Sequence, residues 1–410
     1  METENQILHE ASSYLPSEVW EKIFLYLPTD QLGSIRQTCH YFKNVVRHCR
    51  ALRDRIHLHF PKHQVLKKGY TPHSAPPAST AFIMHTTIED TGLWWSPMGV
   101  MITELVLVAC EFPLDLLRLT PKLKTLTLRD VKLRCSGPLE VNFELRELVK
   151  LAVEVGREGD LAVLIVLEQI ITGLKVLEWI GKISRSSHLH GLVKLVASAQ
   201  DTLDELVFHP HSSIIVALLQ LKLPKLKRIT FKAEYFGQKN FLDEPEIAEF
   251  VRAHPTIEEL KMDNKPACNK VLSQIGHVLP QLKRFDMQVL FANEQNAMAS
   301  LTMLHLQSLN LTNLLGKWLQ FDSNCVGNLP SLKELHLTGV QVQGEGLERF
   351  LHQSTNLEYL SIKQSRFERW SQLPALALHL KSLVKLELDN IVFTINDQCP
   401  LKLRMIFQGA

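Results

Sequence analysis

The chain has 410 residues, of which 45% are hydrophobic and 21% are charged. This composition excludes a chain that is disordered throughout, and the length predicts several folding units or a repeat array instead of one compact core. The formal net charge of +2 gives no reason to expect a polyanionic partner, so neither nucleic acid nor a membrane surface is predicted.

The cysteine pattern and the apolar runs indicate the cellular compartment in which the protein is expected. Seven cysteines are spread from Cys39 to Cys399 and none forms a CxxC pair, which is typical of reduced thiols. The N-terminus has early glutamates and no apolar core, so we expect no secretory signal. The most apolar run, residues 161–174, is too short to cross a bilayer. We therefore expect an intracellular protein, cytoplasmic or nuclear.

Three short helices are predicted within residues 15–50. Their apolar residues recur at helical spacing and are Val19, Ile23, Phe24 and Leu27, then Leu32, Ile35 and Cys39, then Phe42, Val45, Val46 and Cys49. A unit of this size usually needs help to bury its apolar surface. The periodicity alone is equally compatible with self-packing and with binding to a partner.

This stretch resembles an F-box domain. The resemblance rests on Leu15-Pro16, Glu18-Val19, Ile23-Phe24, Leu27-Pro28, Leu32, Ile35-Arg36, Cys39, Phe42 and Val45-Val46. Trp20 and Gly33 depart from the usual aliphatic residues. The resemblance implies docking onto the Skp-type adaptor of a cullin–RING ubiquitin ligase. The implied contact residues are Leu15, Pro16, Val19, Trp20, Ile23, Phe24, Leu27, Leu32 and Ile35.

The next segment is rich in turn-forming residues. Residues 61–82 contain four prolines together with Ser, Thr and Gly, which predicts a loop or linker. We expect Trp94 and Trp95 to cover the first repeat, with an aromatic recognition patch as the alternative. The predicted segments are a tail at 1–10, an F-box-like helical domain at 11–60, a linker and cap at 61–100, and repeats at 101–410.

The remaining sequence repeats the pattern LxxLxL, with apolar substitutions, twelve times. The central apolar residue lies at 105, 126, 151, 177, 206, 229, 260, 285, 309, 335, 360 and 386. The mean spacing of about 25 residues is typical of leucine-rich repeats, and this part of the chain resembles that family. Because strand side chains alternate, stacked copies predict an α/β horseshoe with a parallel sheet inside and helices outside.

Both parts together resemble the F-box/leucine-rich-repeat substrate receptors. In the fuller repeat pattern a Cys or Asn follows five residues after the central leucine. Cys110 fits this pattern, whereas Val131, Leu314, Val340 and Ile391 do not, so the cysteine-containing subclass is not assigned. The C-terminal run KLRMIFQGA either closes the last repeat or is free.

The outward strand positions form the candidate target-binding surface. The residues singled out are Arg228, Lys232, Arg284, Asn310, His336 and Tyr359. For any single position, simple solvation is the alternative. Arg228, Lys232 and Arg284 give a locally basic middle that suits an acidic or phosphorylated segment, although Glu259 and Asp263 lie between them and weaken this interpretation.

No catalytic or cofactor motif is recognisable. The sequence has no P-loop, no GxGxxG and no HExxH, and its paired histidines have no cysteine nearby. We therefore predict no enzyme activity, no cofactor and no metal. The predicted function is substrate recognition in an SCF-type cullin–RING ubiquitin ligase, with a non-degradative protein-binding scaffold as the alternative.

Overall fold

The computed structural model describes residues 15–72, 78–134, 141–154, 161–181, 186–232, 244–265, 275, 278–289, 305–313, 319–321, 329–342, 346–367, 380–393 and 401–408. The chain divides into an N-terminal unit, Met1–Ala199, and a C-terminal unit, Gln200–Ala410. Within the described ranges, no helix is both long enough and apolar enough to cross a membrane.

The first elements that the structure describes in the N-terminal unit are four helices. These are α1 (Ser17–Leu25), α2 (Thr29–Thr38), α3 (His40–His48) and the short α4 (Arg50–Arg53). Pro16 and Pro28 directly precede α1 and α2, since proline fixes φ near the helical value and needs no intrahelical donor there. The rings of Trp20, Phe24 and Phe42 lie 4.7 to 5.6 Å apart and form the centre of this bundle. The predicted three helices are thus confirmed, and α4 is added to them.

Parallel strands follow the bundle. They pair in the order β1 (His57–His59), β3 (Thr80–Met84), β5 (Glu104–Val108), β7 (Thr125–Arg129), β9 (Lys150–Glu154) and β10 (Val176–Ile180). A second ladder contains β2 (Val65–Leu66), β4 (Thr87–Ile88), β6 (Glu111–Pro113) and β8 (Lys132–Arg134). The helices of this region are α5 (Gly92–Gly99), α6 (Asp115–Arg118), α7 (Leu161–Ile170) and α8 (Ser186–Ser198).

The predicted loop at residues 61–82 differs from the structure, because β2 and the start of β3 lie there. Ala81 and Ile83 are buried and pair with Leu105 and Leu107, so they hold the inward positions that leucines hold in later repeats. A search for the leucine pattern misses this strand because its inward residues are not leucines.

The two tryptophans of α5 are core residues. Trp94 Nε1 donates to the carbonyl of Asp90 at 2.9 Å, and Trp95 Nε1 donates to the carbonyl of Leu116 at 3.0 Å. Both indoles are buried and pack on Phe60. An exposed aromatic recognition patch is therefore excluded at this position.

The C-terminal unit continues the parallel pattern. Its main strands are β11 (Glu205–Phe208), β12 (Arg228–Phe231), β13 (Glu259–Lys265), β14 (Arg284–Val289), β15 (Ser308–Asn313), β17 (Glu334–Thr338), β19 (Tyr359–Lys363) and β21 (Lys385–Phe393). The shorter strands are β16 (Leu319–Phe321), β18 (Val340–Val342) and β20 (Arg366–Phe367). The helices within its described residues are α9 (Ser212–Leu218), α10 (Glu244–Ala253) and α11 (Gly346–His352).

All twelve predicted central residues lie in strands, and all of them except Leu386 are buried. The predicted α/β class with parallel strands is therefore confirmed. The last strand, β22 (Leu401–Gln408), runs antiparallel to β21, so the C-terminal run closes the final repeat.

A sharp turn follows several of the described strands. His85, Ala109 and Gln364, each directly after a strand, have φ of 48 to 50°, a left-handed conformation that bends the chain sharply. The next residue is buried, and where it is polar it bridges two repeats. Cys110 Sγ, for example, lies 3.1 Å from the carbonyls of both Val108 and Ile83. Small polar or aliphatic side chains fit this position, which explains why Val131 and Val340 replace the expected Cys or Asn.

Candidate functional site

The first candidate surface is the outer side of α1. Leu15, Val19 and Ile23 are spaced one turn apart and are 38%, 38% and 39% exposed, while Pro16 is also exposed. Leaving three aliphatic side chains in one row in contact with water is unfavourable. The row is therefore exposed, and contact with a partner remains a prediction for these residues.

Other predicted contact residues support this row from beneath. Phe24 and Leu32 are only 2% and 0% exposed, and the ring of Phe24 packs at 5.1 Å on Phe42 of α3. Trp20, Leu27 and Ile35 are half-buried. Of the implied contact residues, Phe24 and Leu32 are thus almost fully covered within the bundle itself, and their expected role in the contact remains a prediction.

Two exposed residues at the end of α1 were not predicted. Leu25 is 42% exposed and Tyr26, which follows the helix, is 91% exposed. Leu25 lies two residues after Ile23 and therefore faces a different side of α1 from the row, whereas Tyr26 follows Ile23 by three residues and lies near the C-terminal end of the row. Sequence periodicity misses them because they fall outside the i, i+4 spacing that defines the row.

The orientation of α1 depends on Arg55. Its guanidinium donates to the carbonyls of Phe24 at 3.3 Å and Leu25 at 2.7 Å, and also to that of Leu27. Carbonyls at a helix C-terminus lack intrahelical partners, and this cation satisfies them. Arg55 directly precedes the segment that enters β1, so it links α1 to the first strand.

The second candidate surface is the outward side of the strands in the C-terminal unit. A cavity of about 300 Å³ is lined by outward side chains of β11 to β17. It brings together four predicted residues, which are Arg228, Arg284, Asn310 and His336. Tyr359 lies beside it, with its ring 4.9 Å from that of His336. Lys232 follows β12 and does not line the cavity.

The cations of this cavity have acidic neighbours. Arg228 contacts Asp204 at 2.6 Å and Glu205 at 2.9 Å, and Arg284 contacts Glu259 at 3.6 Å. Burial lowers the pKa of Arg228, but its two carboxylates outweigh burial, so the net shift is upward. Acids from the preceding repeat thus pair with Arg228 and Arg284, which reduces the positive charge expected of the locally basic middle.

Two further groups in the cavity have pKa values shifted by burial. Burial raises the pKa of Asp286, and the nearby Asp263 raises it further, while Lys261 opposes both. Burial also lowers the pKa of His336. An imidazole with a pKa below the usual value of about 6.5 is neutral at pH 7, so His336 presents a hydrogen-bonding ring without charge.

In the part of the chain that the structure describes, no three His, Cys, Asp or Glu side chains are arranged to hold a metal ion. The histidines of β1 instead pack on an aromatic ring. His59 stacks on Phe82 at 5.0 Å, and His57 lies 5.3 Å from the same ring.

The comparison with known families decides the identity of the helical bundle, because the F-box domain model matches residues 12–54. This chain carries an F-box domain. The match contains α1, α2, α3 and α4, and therefore the exposed row of Leu15, Val19 and Ile23. F-box domains generally bind Skp-type adaptors.

The chain is also similar to the following solved structures, all at low sequence identity. An internalin from Listeria monocytogenes is 15% identical with a TM-score of 0.43, covering 90% of this chain and 95% of that one. The TLR13–ssRNA13 complex is 14% identical with a TM-score of 0.40, covering 86% of this chain and 61% of that one. The mouse RP105/MD-1 complex is 13% identical with a TM-score of 0.45, covering 82% of this chain and 64% of that one. This chain thus spans less than two thirds of the latter two. The search of curated proteins found no match.

Proposed function

We propose that this protein is the substrate-recognition subunit of an SCF-type cullin–RING ubiquitin ligase. The observation that carries the proposal is an F-box domain with exposed apolar residues on α1, joined in one chain to leucine-rich repeats. In this proposal the helical domain at residues 11–60 binds the Skp-type adaptor. The repeats at 101–410 bind the target protein.

The adaptor contact would be driven by apolar burial. Leu15, Val19 and Ile23 are each about two-fifths exposed, and covering them with a partner is favourable by about 25 cal/mol for each Å² of apolar surface removed from water. Phe24 and Leu32 hold the row in place from inside the bundle. The contact is thus pre-formed, which lowers the entropic cost of binding.

The target contact would use the outward strand face of the C-terminal unit. Strands hold their side chains more rigidly than loops do, and the cavity at β11 to β17 gives this face a concave point of attachment. Ubiquitin transfer would belong to other subunits. The contribution of this chain would be to hold the target near them, which raises its effective concentration.

Adaptor binding tests the proposal directly. Purified full-length chain is titrated with the Skp-type adaptor, beside a Val19→Lys, Ile23→Lys double variant. Val216→Lys is the matched control, since Val216 is a 53% exposed valine on α9, outside the F-box domain. We expect saturable binding by the native and control chains and none by the double variant. Circular dichroism of each chain monitors folding.

Two outcomes would contradict the proposal. The first is a native chain that is well folded and does not bind the adaptor, which would leave the protein-binding scaffold as the function. The second is full binding by the double variant, which would place the adaptor contact away from α1.

A further inference from the structure

The first strands of the N-terminal unit carry apolar side chains on their outward face. In β3 and β5 the inward residues, such as Ala81 and Leu105, are fully buried, and the alternate residues point outward. Four of these outward residues are apolar and only half-buried, namely Phe82, Met84, Val106 and Val108. The two strands pair residue by residue, so the four side chains form one continuous group, which is called the apolar block.

The outward face of the C-terminal unit has a different composition. The outward residues of β12 to β15 are all polar or charged, namely Arg228, Thr230, Glu259, Lys261, Asp263, Arg284, Asp286, Gln288, Ser308, Asn310 and Thr312. Stacking of the repeats requires apolar residues on the inward face alone, so it does not explain the apolar block. Grouped apolar side chains that remain in contact with water are typical of a surface that binds another protein.

The histidines of β1 extend the apolar block. His59 pairs in register with Phe82, and its ring stacks on the phenyl ring at 5.0 Å. His57 lies 5.3 Å from the same ring. Burial lowers the pKa of His59, and the nearby His57 and Lys62 lower it further, so the ring is uncharged at pH 7. The stack therefore presents an ordered aromatic surface beside the four apolar side chains.

A cavity with a positive lining adjoins the apolar block where the strands begin. It has a volume of about 540 Å³ and lies between α4 and the first residues of β3, β5 and β7. Thr80 and Glu104, which line it, lie two residues before the apolar block on the same strands, a distance of about 7 Å. Its charged residues are four cations and three carboxylates, namely Arg50, Arg53, Lys122, Lys124, Asp54, Glu104 and Glu147.

Three cations of this cavity are available to a ligand. Asp54 pairs with Arg50 at 3.7 Å. Arg53, Lys122 and Lys124 have no carboxylate within ion-pair distance among the residues that the structure describes. The surrounding sequence has the same bias, since between Asp30 and Glu89 there are nine Lys and Arg residues and a single acid. Carboxylates from a partner would complement this charge.

We infer that the outward face of β1, β3 and β5 binds a segment of the target protein in which an apolar side chain lies close to acidic residues. The inference rests on the proposed function for the statement that this chain holds a target protein. The apolar side chain would cover Phe82 and Val106, and the acidic groups would reach Arg53 and Lys124. An extended segment advances about 3.3 Å per residue, so acids two to four positions from the apolar residue reach the cavity.

The test uses the immobilised full chain and synthetic peptide pools. Each peptide has a central pair, either Leu-Phe or Ser-Gln, and randomised flanks drawn from acidic, uncharged or basic residues. We expect the Leu-Phe pool with acidic flanks to be retained about tenfold better than the same pool with basic flanks, and about tenfold better than the Ser-Gln pool with acidic flanks. Added salt should weaken the preference for acidic flanks and leave the preference for Leu-Phe.

One double variant locates the apolar contact. Val106→Thr, Val108→Thr keeps the β-branched shape of both side chains and adds a hydroxyl on the outward face, where water can solvate it. It should fold and lose the preference for Leu-Phe. Val176→Thr is the matched control, since Val176 is a half-buried valine on the outward face of β10, outside the apolar block. Thermal unfolding monitors whether each variant is folded.

A second double variant locates the charge contact. Lys122→Gln, Lys124→Gln removes two cations from the cavity and should abolish the preference for acidic flanks while leaving that for Leu-Phe. Lys132→Gln is the control, since it removes an exposed cation of β8 that does not line the cavity.

Equal retention of the Leu-Phe and Ser-Gln pools, no preference for acidic flanks, or a Leu-Phe preference that persists in the folded Val106→Thr, Val108→Thr variant would each overturn the inference. Self-association of the native chain that this variant abolishes, measured by sedimentation, would also overturn it, because a second copy would then cover the face. Adaptor binding is measured separately, so failure of this inference is distinguishable from failure of the proposed function.

Discussion

Arg55 and Leu25 are joined by a 2.7 Å hydrogen bond from the guanidinium to the backbone carbonyl at the end of α1. The same guanidinium reaches the carbonyls of Phe24 and Leu27. One side chain thus holds the helix with the exposed apolar row to the segment that leads into β1. We expect the adaptor-binding helix to depend on it.

Replacing Arg55 by Ala should loosen the end of α1. A hydrogen bond to a charged group contributes about 1.5–3 kcal/mol to stability. Because this site is partly exposed and solvent weakens the interaction, we expect a loss of about 1 kcal/mol. Hydrogen exchange should accelerate at the amides of Leu25 to Leu27. Arg47→Ala, which removes an exposed guanidinium from α3, is the control. Unchanged exchange in Arg55→Ala would show that α1 is held by packing alone.

Phe24 and Ile23 are sequence neighbours with opposite roles. Phe24→Ala should cost about 3–5 kcal/mol because it leaves a cavity against Phe42. Ile23→Ala should change stability little, since the side chain is partly exposed, and should weaken adaptor binding. Denaturant unfolding followed by adaptor titration separates the two effects. Equal destabilisation by both variants would contradict the assignment of inner and outer faces.

Two glycines should respond oppositely to alanine. A Cβ at Gly99 would meet the carbonyl oxygen of Leu119 well inside contact distance and Trp95 Nε1 at 2.9 Å, so Gly99→Ala should be strongly destabilising. A Cβ at Gly33 meets nothing within 4 Å. Gly33→Ala, inside α2, should therefore stabilise the F-box domain by about 0.5–1 kcal/mol. Thermal unfolding of both variants checks the prediction, and a destabilised Gly33→Ala would contradict it.

His254 should make the C-terminal unit sensitive to acid. Burial lowers the pKa of His254, although its bonds to the carbonyls of Phe250 and Leu221 oppose this shift. The folded state therefore binds the proton less strongly than the unfolded state does. Stability should be fully present above the unfolded pKa of about 6.5 and should fall as the pH drops below it.

Urea unfolding at pH 7.5 and pH 5.5 measures this dependence. His254→Gln should show a smaller difference between the two conditions than the native chain. His352→Gln, at an exposed position in the same unit, is the control. An identical difference in His254→Gln and the native chain would show that other groups carry the acid sensitivity.

The strands of the repeats were predictable because their signal is local. The central residues from 105 to 386 lie two positions from another inward apolar residue, and one short strand suffices to define that alternation. The strand β3 was missed because Ala81 and Ile83 fill the same inward positions without the leucines that mark the pattern. Burial, unlike residue type, is decided by the neighbouring strands.

The sequence by itself determined the element types, the repeat spacing and the resemblance of residues 15–46 to an F-box. Only the tertiary structure decided which apolar and charged side chains are free. Phe24 and Ile23 both fall at the helical spacing of apolar residues, but Phe42 from another helix covers Phe24 and leaves Ile23 exposed. Arg228 reads as a free cation, yet Asp204 and Glu205 from the preceding repeat neutralise it. The spacing of residues along the sequence indicates local geometry. Whether a side chain is exposed to a partner depends on contacts between residues that are distant along the chain.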